Sequence, residues 1–199
     1  MDVILSTRNP SKALQIGELF TGSSIRVLSL DDAGIDGEAV EDGTTLEENA
    51  LKKAKYAHER APGLWTMADD TGLYITALGG EPGIHAARWA GDVSTDEITQ
   101  YCLKRLENAE DRSAVFRTVV VAIDPEGKTY AFTGEVSGRL LEAPGAPAQP
   151  KMPYSPLFVP DGETLCWAQM TIEQENAISH RGIAFRKARA FLEEQAGLG

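Results

Sequence analysis

Cysteine is scarce in this chain, basic charge is outweighed, and no apolar run is long. Each shortage narrows what the protein can be. The two cysteines, Cys102 and Cys166, fit neither a disulfide framework nor a metal-ligand spacing, and reduced thiols are the rule inside cells. No apolar stretch approaches the roughly 18 residues of a membrane-spanning helix. Met1-Asp2 followed by Val3-Ile4-Leu5 lacks the basic start and extended apolar core of a secretory signal. The expectation is a cytoplasmic protein with no membrane partner. Lys and Arg number 19 against 30 Asp and Glu, a formal net charge of −11. That balance argues against sequence-independent binding to DNA or RNA, which needs a basic face to displace counterions. A phosphate-bearing partner would have to be met by a few placed cations. The P-loop and dinucleotide glycine patterns are absent too, and no Ser or Cys sits in a nucleophile elbow.

What is present suits a folded domain. With 199 residues, 42% of them hydrophobic, the chain can build one sizeable core or two closely packed lobes. The 19 Gly and 10 Pro are too few for a repetitive fibrous chain. Short β-type apolar runs alternate with amphipathic stretches, which gives a mixed α/β (α+β) fold over residues 1–199 as a single domain. Val3-Ile4-Leu5 is a buried strand running into Ser6-Thr7-Arg8-Asn9-Pro10, a cap-and-proline start for a helix through about Phe20. Ile25 to Leu30 reads as a second strand. Thr45-Leu46-Glu47-Glu48 has the capping-box spacing and opens a helix that stops at Ala61-Pro62-Gly63. Trp65 to Ala68 reads as a strand ending in Asp69-Asp70, and Gly79 to Gly83 as a loop. Ser94 caps a helix carrying Ile98, Tyr101, Cys102 and Leu106. Val115 to Ile123 and Thr129 to Val136 flank Asp124-Pro125-Glu126-Gly127 as a hairpin. The proline-rich stretch from Ala143 to Pro156 is a surface loop where a lid or pocket wall could sit. Ser179-His180-Arg181 opens a last helix ending near Gln195.

Three constellations could carry chemistry. At Ser6-Thr7-Arg8-Asn9-Pro10-Ser11-Lys12, hydroxyl, amide and cationic groups gather at a helix start, whose free N–H groups and partial positive charge attract anions. An ordinary N-cap with exposed Arg8 and Lys12 explains the same residues. Asp69-Asp70 followed by Thr71-Gly72 suits oxygen ligands for Mg²⁺, which takes a couple of carboxylates plus water and phosphates, and equally suits an Asx-capped turn. Glu38, Glu41, Asp42, Glu47 and Glu48 cluster before and within a helix start, where the dipole alone accounts for acids. In Ser179-His180-Arg181-Gly182, His and Arg can point into a cleft and donate to oxygen, or can simply cap the helix.

In this order and spacing, the segments resemble the inosine-triphosphate pyrophosphatase family, also called Ham1 or non-canonical purine nucleoside triphosphate pyrophosphatases. The resemblance spans nearly the whole chain. It rests on Thr7-Arg8-Asn9-Pro10-Ser11-Lys12, on Glu41-Asp42-Gly43 with Glu48-Asn49-Ala50-Leu51-Lys52-Lys53, and on Ala68-Asp69-Asp70-Thr71-Gly72-Leu73. It continues through Ala77 to Gly83 with Ala87-Arg88-Trp89, and Asn176-Ala177-Ile178-Ser179-His180-Arg181-Gly182. The family implies a long mixed sheet flanked by helices, two lobes with a nucleotide cleft between them, and a homodimer. It also implies Mg²⁺-dependent cleavage of a purine nucleoside triphosphate into monophosphate and pyrophosphate. By position, Thr7, Asn9 and Lys12 would hold phosphates, with Arg8 and Lys53 as further cations. Asp70 would be the general base, Glu41, Asp69 and Asp70 would hold Mg²⁺, Thr71 would touch substrate, and His180 and Arg181 would lie along the base.

The departures from the family pattern cluster at the base. Its Gly-Gly-Phe-Gly-Tyr-Asp-Pro segment is here Pro150-Lys151-Met152-Pro153-Tyr154-Ser155-Pro156, so Met152 replaces the stacking Phe and Ser155 the base-contacting Asp, while Tyr154 is kept. Glu175 stands where the family has a Lys that reaches the base. An acceptor anion in place of a donor cation favours N–H groups over a carbonyl. The resemblance therefore leads to a pyrophosphohydrolase whose base selectivity has moved away from inosine and xanthine, toward an adenine- or guanine-type or modified nucleotide. Tolerated variation around an ordinary site is the other reading. A hydrolase of a specialised biosynthetic pathway, or a nucleotide binder with little turnover, also stays open.

Overall fold

The computed structural model describes residues 1–197. The apolar run at the N-terminus forms β1 (Asp2–Leu5), which lies between two parallel neighbours, β2 (Arg26–Leu28) and the first part of β3 (Trp65–Ile75). On its other side β3 pairs antiparallel with β5 (Ser113–Ile123), from Thr66 opposite Ile123 to Ile75 opposite Ala114. β5 turns into β6 (Thr129–Leu140) at Asp124, whose Oδ1 accepts from the backbone N–H of Glu126 and of Lys128, while Gly127 takes the left-handed φ of 89° that closes the turn. β7 (Phe158–Pro160) extends the sheet beyond β6, and the two-residue β4 (Pro82–Gly83) pairs with the end of β3. Among the described residues the result is a seven-stranded mixed sheet in the order β2-β1-β3-β5-β6-β7, with β4 off this path beside β3.

Among the described residues five α-helices flank it: α1 (Pro10–Phe20), α2 (Leu46–His58), α3 (Thr95–Arg105), α4 (Ile172–Ile178) and α5 (His180–Gly197). Their starts follow the local sequence. Asn9 accepts from the N–H groups of Ser11 and Lys12, Thr45 from that of Glu48, and Ser94 with Glu97 completes a reciprocal cap. Strand alternation then sorts the core. Met67, Val120 and Ala122 face α1 and α5, packing on Ile16, Phe20, Ala184, Phe185 and Ala188. Ala68, Val119, Val121 and Ile123 face the other way, onto Leu46, Ala50 and Ala54 of α2. Further along β3, Leu73 and Ile75 join Phe116, Tyr154, Phe158 and Trp167 in a separate cluster with α3. No helix among the described residues is long and apolar enough to cross a membrane.

The main correction concerns β3. The sequence reading ends this strand at Asp69-Asp70, because two acids before Thr-Gly have turn chemistry, but the strand runs straight through to Ile75. Long-range pairing overrides that local preference: Asp69 and Asp70 lie opposite Val120 and Val119 of the apolar β5. The second strand is shorter than Ile25 to Leu30, with Ile25 and Leu30 buried just outside it. The glycine-rich loop contains β4, β6 runs on to Leu140, and β7 and α4 were not anticipated.

α5 reaches the sheet because β6 offers it a glycine. A Cβ at Gly134 would lie 2.1 Å from the carbonyl oxygen of His180 and 2.7 Å from the amide of Ala184. Gly134→Ala is therefore expected to lower stability by about 1–3 kcal/mol through forced backbone displacement. Gly17→Ala, at an exposed α1 position with nothing near its missing Cβ, should instead be neutral or stabilising by up to about 1 kcal/mol. Urea denaturation of both variants checks the contrast.

Candidate active site

The sheet leaves one stretch of β3 uncovered. On the side away from β5, β3 pairs with β1 only through Met67 and with β4 only at Leu73 and Tyr74, so residues 68–72 have no strand neighbour there. That gap opens at the C-terminal end of β1 and faces the start of α1, the place where open α/β sheets characteristically form crevices. A cavity of about 260 Å³ lies here, walled by the β1–α1 corner, Asp70 and Thr71 of β3, the 143–156 loop and the start of α5.

Because neighbours on a strand point to opposite faces, the two aspartates do different things. Asp69, 1% exposed, points toward α1 and α5 and does not line the cavity. Its Oδ2 accepts from Lys12 Nζ at 2.8 Å and from Thr71 Oγ1 at 3.3 Å, and lies 3.9 Å from Arg181 Nε, near enough for charge but not for a hydrogen bond. Burial opposes its charge, but Lys12, Arg181 and Lys53 together hold the carboxyl well below the usual carboxylate range. Asp70 points toward α2, accepting from Asn49 Nδ2 at 3.1 Å and from Lys53 Nζ at 3.4 Å. Burial raises its pKa, Lys53 and Lys12 oppose that, and Glu41 adds to it. Lys53 Nζ also lies 3.3 Å from Glu41 Oε1, and Arg88 fixes that loop by donating to the Glu41 carbonyl.

The α1 corner anchors the proline-rich loop. Thr7 Oγ1 accepts from the Asn9 amide, Asn9 Nδ2 donates to the Lys151 carbonyl, and Ser11 Oγ donates to that of Pro150. Lys151 alone among described non-glycine residues has a left-handed φ, 58°, strain of the kind that collects at ligand clamps. Arg8 lines the cavity, yet its guanidinium is engaged by Asp31 and by the carbonyls of Ile35 and Gly37. It acts there as a clamp on the loop that carries Glu41.

The inner end is different chemistry. Glu175, 2% exposed on α4, accepts from Gln15 Nε2 at 2.7 Å, and Gln15 Oε1 accepts from Arg181 Nη1 at 2.5 Å. Burial pushes the Glu175 carboxyl up, against the pull of Arg181 and Gln15. His180 stacks on Phe116 with ring centroids 4.6 Å apart, and neither ring nitrogen has a hydrogen-bond partner. Burial, with Arg181 and Lys12 nearby, holds its pKa well below the ordinary value, so the ring is neutral at pH 7. Trp167 Nε1 is also buried without a partner. Met152 forms wall. Tyr154 and Ser155 line the cavity with their hydroxyls already engaged, Tyr154 donating to Ala86 O and Ser155 to Met152 O.

Thr7, Arg8, Asn9, Lys12, Glu41, Lys53, Asp70, Thr71, Met152, Tyr154, Ser155, Glu175, His180 and Arg181 thus all line one cavity, with Asp69 just behind it. Gln15, Asn49, Lys151, Phe116 and Trp167 went unnamed as site residues. Asn49 and Lys151 stood inside recognised segments, while Gln15, Phe116 and Trp167 sit in apolar stretches with no local mark of function. Of the three carboxylates expected at Mg²⁺, Glu41 and Asp70 line the cavity with oxygen donors, whereas Asp69 is turned onto the opposite strand face, where Lys12 engages its Oδ2 and its Oδ1 is buried without a hydrogen-bond partner. No three His, Cys, Asp or Glu side chains among the described residues form a ready cage. Such donors fit a hard cation completed by ligand oxygens.

Comparison with known proteins adds an independent finding. Residues 3–191 match the model of the Ham1 family. The dITP/XTP pyrophosphatase of Geobacter sulfurreducens is 38% identical over 198 residues, 98% of this chain and 96% of its own length. That of Deinococcus deserti is 39% identical over 188 residues, covering 94% and 88%. The Ham1 protein of Staphylococcus aureus superposes with a TM-score of 0.82 at 32% identity, covering 98% of this chain and 100% of its own. The HAM1 protein of Coxiella burnetii gives 0.84 at 30%, covering 98% and 99%.

The Asp69 geometry makes a stability prediction. Asp69→Asn leaves Lys12 and Arg181 facing each other without their anion, and should cost about 3–5 kcal/mol at pH 7. The depressed pKa sets the sign: the native protein gains from the Asp69 charge above the ordinary value of 3.8, and loses that gain as pH falls below it toward the folded-state value. Urea unfolding at pH 7 and pH 3 should therefore show a smaller penalty for the variant at the lower pH. An equal penalty at both would sink this account.

Proposed function

The chain belongs to the Ham1 family and is a nucleoside triphosphate pyrophosphohydrolase, and from that premise we propose that it splits a purine nucleoside triphosphate into monophosphate and pyrophosphate in this cavity, using Mg²⁺, with a base preference moved toward amino-bearing purines. The observation that carries the reaction is Asp70, a carboxylate of raised pKa held by Asn49 and Lys53 on the cavity wall, across from the cationic start of α1. A general base must stand within reach of the water it activates, and Asp70 lines the cavity wall.

Phosphoanhydride cleavage needs charge neutralisation and an aligned water more than covalent chemistry. Lys12, the Thr7–Asn9 corner and Lys53 would hold the phosphates. Asp70 would take the proton of the attacking water as oxygen adds to phosphorus and the anhydride P–O bond to the departing pyrophosphate breaks. Lys12, Lys53 and Arg181 already face Asp69, Asp70 and Glu41, so only part of their charge is left for a triphosphate. Glu41 and Asp70, which line the cavity, are the residues that would hold Mg²⁺, whose contribution when bound is to neutralise phosphate charge.

The base preference rests on Glu175. Relatives named for dITP and XTP act on bases that carry no amino group, whereas a carboxylate at the inner end of the cavity accepts N–H groups and repels carbonyl oxygen. Purified protein should release pyrophosphate from nucleoside triphosphates, lose that activity with a chelator and regain it with Mg²⁺. ATP or GTP should outperform ITP and XTP in kcat/KM. Preference for ITP or XTP defeats the shifted selectivity and leaves the hydrolysis standing. Asp70→Asn should lower kcat by about 10²–10⁴-fold with little change in nucleotide affinity; turnover that survives it removes Asp70 from the role of base.

A further inference from the structure

Gln15 is 3% exposed and does not line the cavity, yet it fixes two residues that do. Its carboxamide has distinguishable ends. Nε2 donates to Glu175 Oε2, and Oε1 accepts from Arg181 Nη1. The opposite orientation would aim the carbonyl at a carboxylate and the NH₂ at a guanidinium, so its two neighbours allow only one. The backbone joins the same knot: the Gln15 carbonyl accepts from Asn176 Nδ2 at 2.8 Å, next to Glu175 on α4. Gln15 holds Oε2, the Gln149 side chain also bonds the Glu175 carboxylate, and Glu175 still lines the cavity. Gln15 lies one helical turn after Lys12, so α1 sets the inner end of the cavity in register with the phosphate corner.

We propose that Gln15 is a positioning residue for base selection: donating to Glu175 and accepting from Arg181, it fixes which of them presents an acceptor and which presents donors, and so favours an amino-bearing purine nucleotide over an amino-free one. This rests on the reading that Glu175 meets the base.

GTP and ITP differ only by the 2-amino group, which makes them the probe pair. Gln15→Glu keeps an acceptor for Arg181 but removes the donor and sets an anion against Glu175. Gln15→Met keeps the volume and removes both bonds. Each should lower the GTP/ITP ratio of kcat/KM at least about tenfold, the scale of one lost hydrogen bond to a charged group. The change should appear in KM for GTP, with kcat for ITP nearly constant. If Gln15→Glu does not fold, Gln15→Glu with Glu175→Gln restores a donor–acceptor pair of reversed polarity, and should recover the melting temperature without recovering the ratio. An unchanged ratio, or equal losses for GTP and ITP, in folded variants overturns the role of Gln15 and leaves the hydrolysis intact. A wild-type preference for ITP overturns it together with the reading of Glu175. If the wild type turns over neither nucleotide, the hydrolysis itself fails, and calorimetric Kd values for GMP and IMP against the same variants still decide the role of Gln15.

Discussion

A carboxylate taken out of water has to be met by charge, and Asp69 in the middle of β3 imposes that demand on the rest of the molecule. The desolvation of such a group costs several kcal/mol unless partners offset it. Those partners come from distant parts of the chain, Lys12 on α1 and Arg181 at the start of α5, with Thr71 two residues along the same strand face. Two helices from opposite ends of the sequence are thereby drawn to one point of the sheet. Gly134 makes the approach of α5 sterically possible, and the free edge of β3 leaves the space into which the cationic groups face.

Asp70, its neighbour, meets the opposite circumstance. Set on the α2 face, it is bonded by Asn49 and Lys53 without the convergence of cations that surrounds Asp69, and its pKa moves up where that of Asp69 moves down. Adjacent residues of one type thus acquire separate properties from strand geometry alone: one is a fixed anion that organises the fold, and the other is a group suited to exchange a proton. The same reasoning separates the cations. Arg8 is held by the 31–37 loop, and Lys12 and Lys53 remain turned toward the cavity.

Much of this was legible in the sequence where the determinants are local. The caps at Asn9, Thr45 and Ser94 fixed three helix starts, and the Asp124–Gly127 turn fixed the hairpin. Motif order gathered residues as distant as Thr7 and Arg181 into one cavity. What escaped depends on long-range partners. Asp69-Asp70-Thr71-Gly72 has the composition of a turn and becomes strand only because β5 supplies an unbroken apolar partner. Gln15 looks like an ordinary polar residue of an amphipathic helix, and although the family resemblance singles out Glu175, nothing local indicates that the two are buried against each other.

The charge of the whole chain is a poor guide to this site for the same reason. Most of the acidic excess is exposed and screened within about 8–10 Å at physiological salt, so it discourages a polyanionic polymer without deciding what a recessed cavity accepts. Within the cavity a few buried groups in a low-dielectric setting dominate, and their arrangement changes along its length. Toward one end, Lys12 of α1 and Lys53 of α2 line the space. At the inner end Glu175 presents an acceptor beside a neutral His180. A ligand that satisfies both ends carries its negative charge at one end and a hydrogen-bonding edge at the other, at a separation that α1 fixes through Lys12 and Gln15. A nucleotide has that polarity, and free pyrophosphate or a polymer backbone does not.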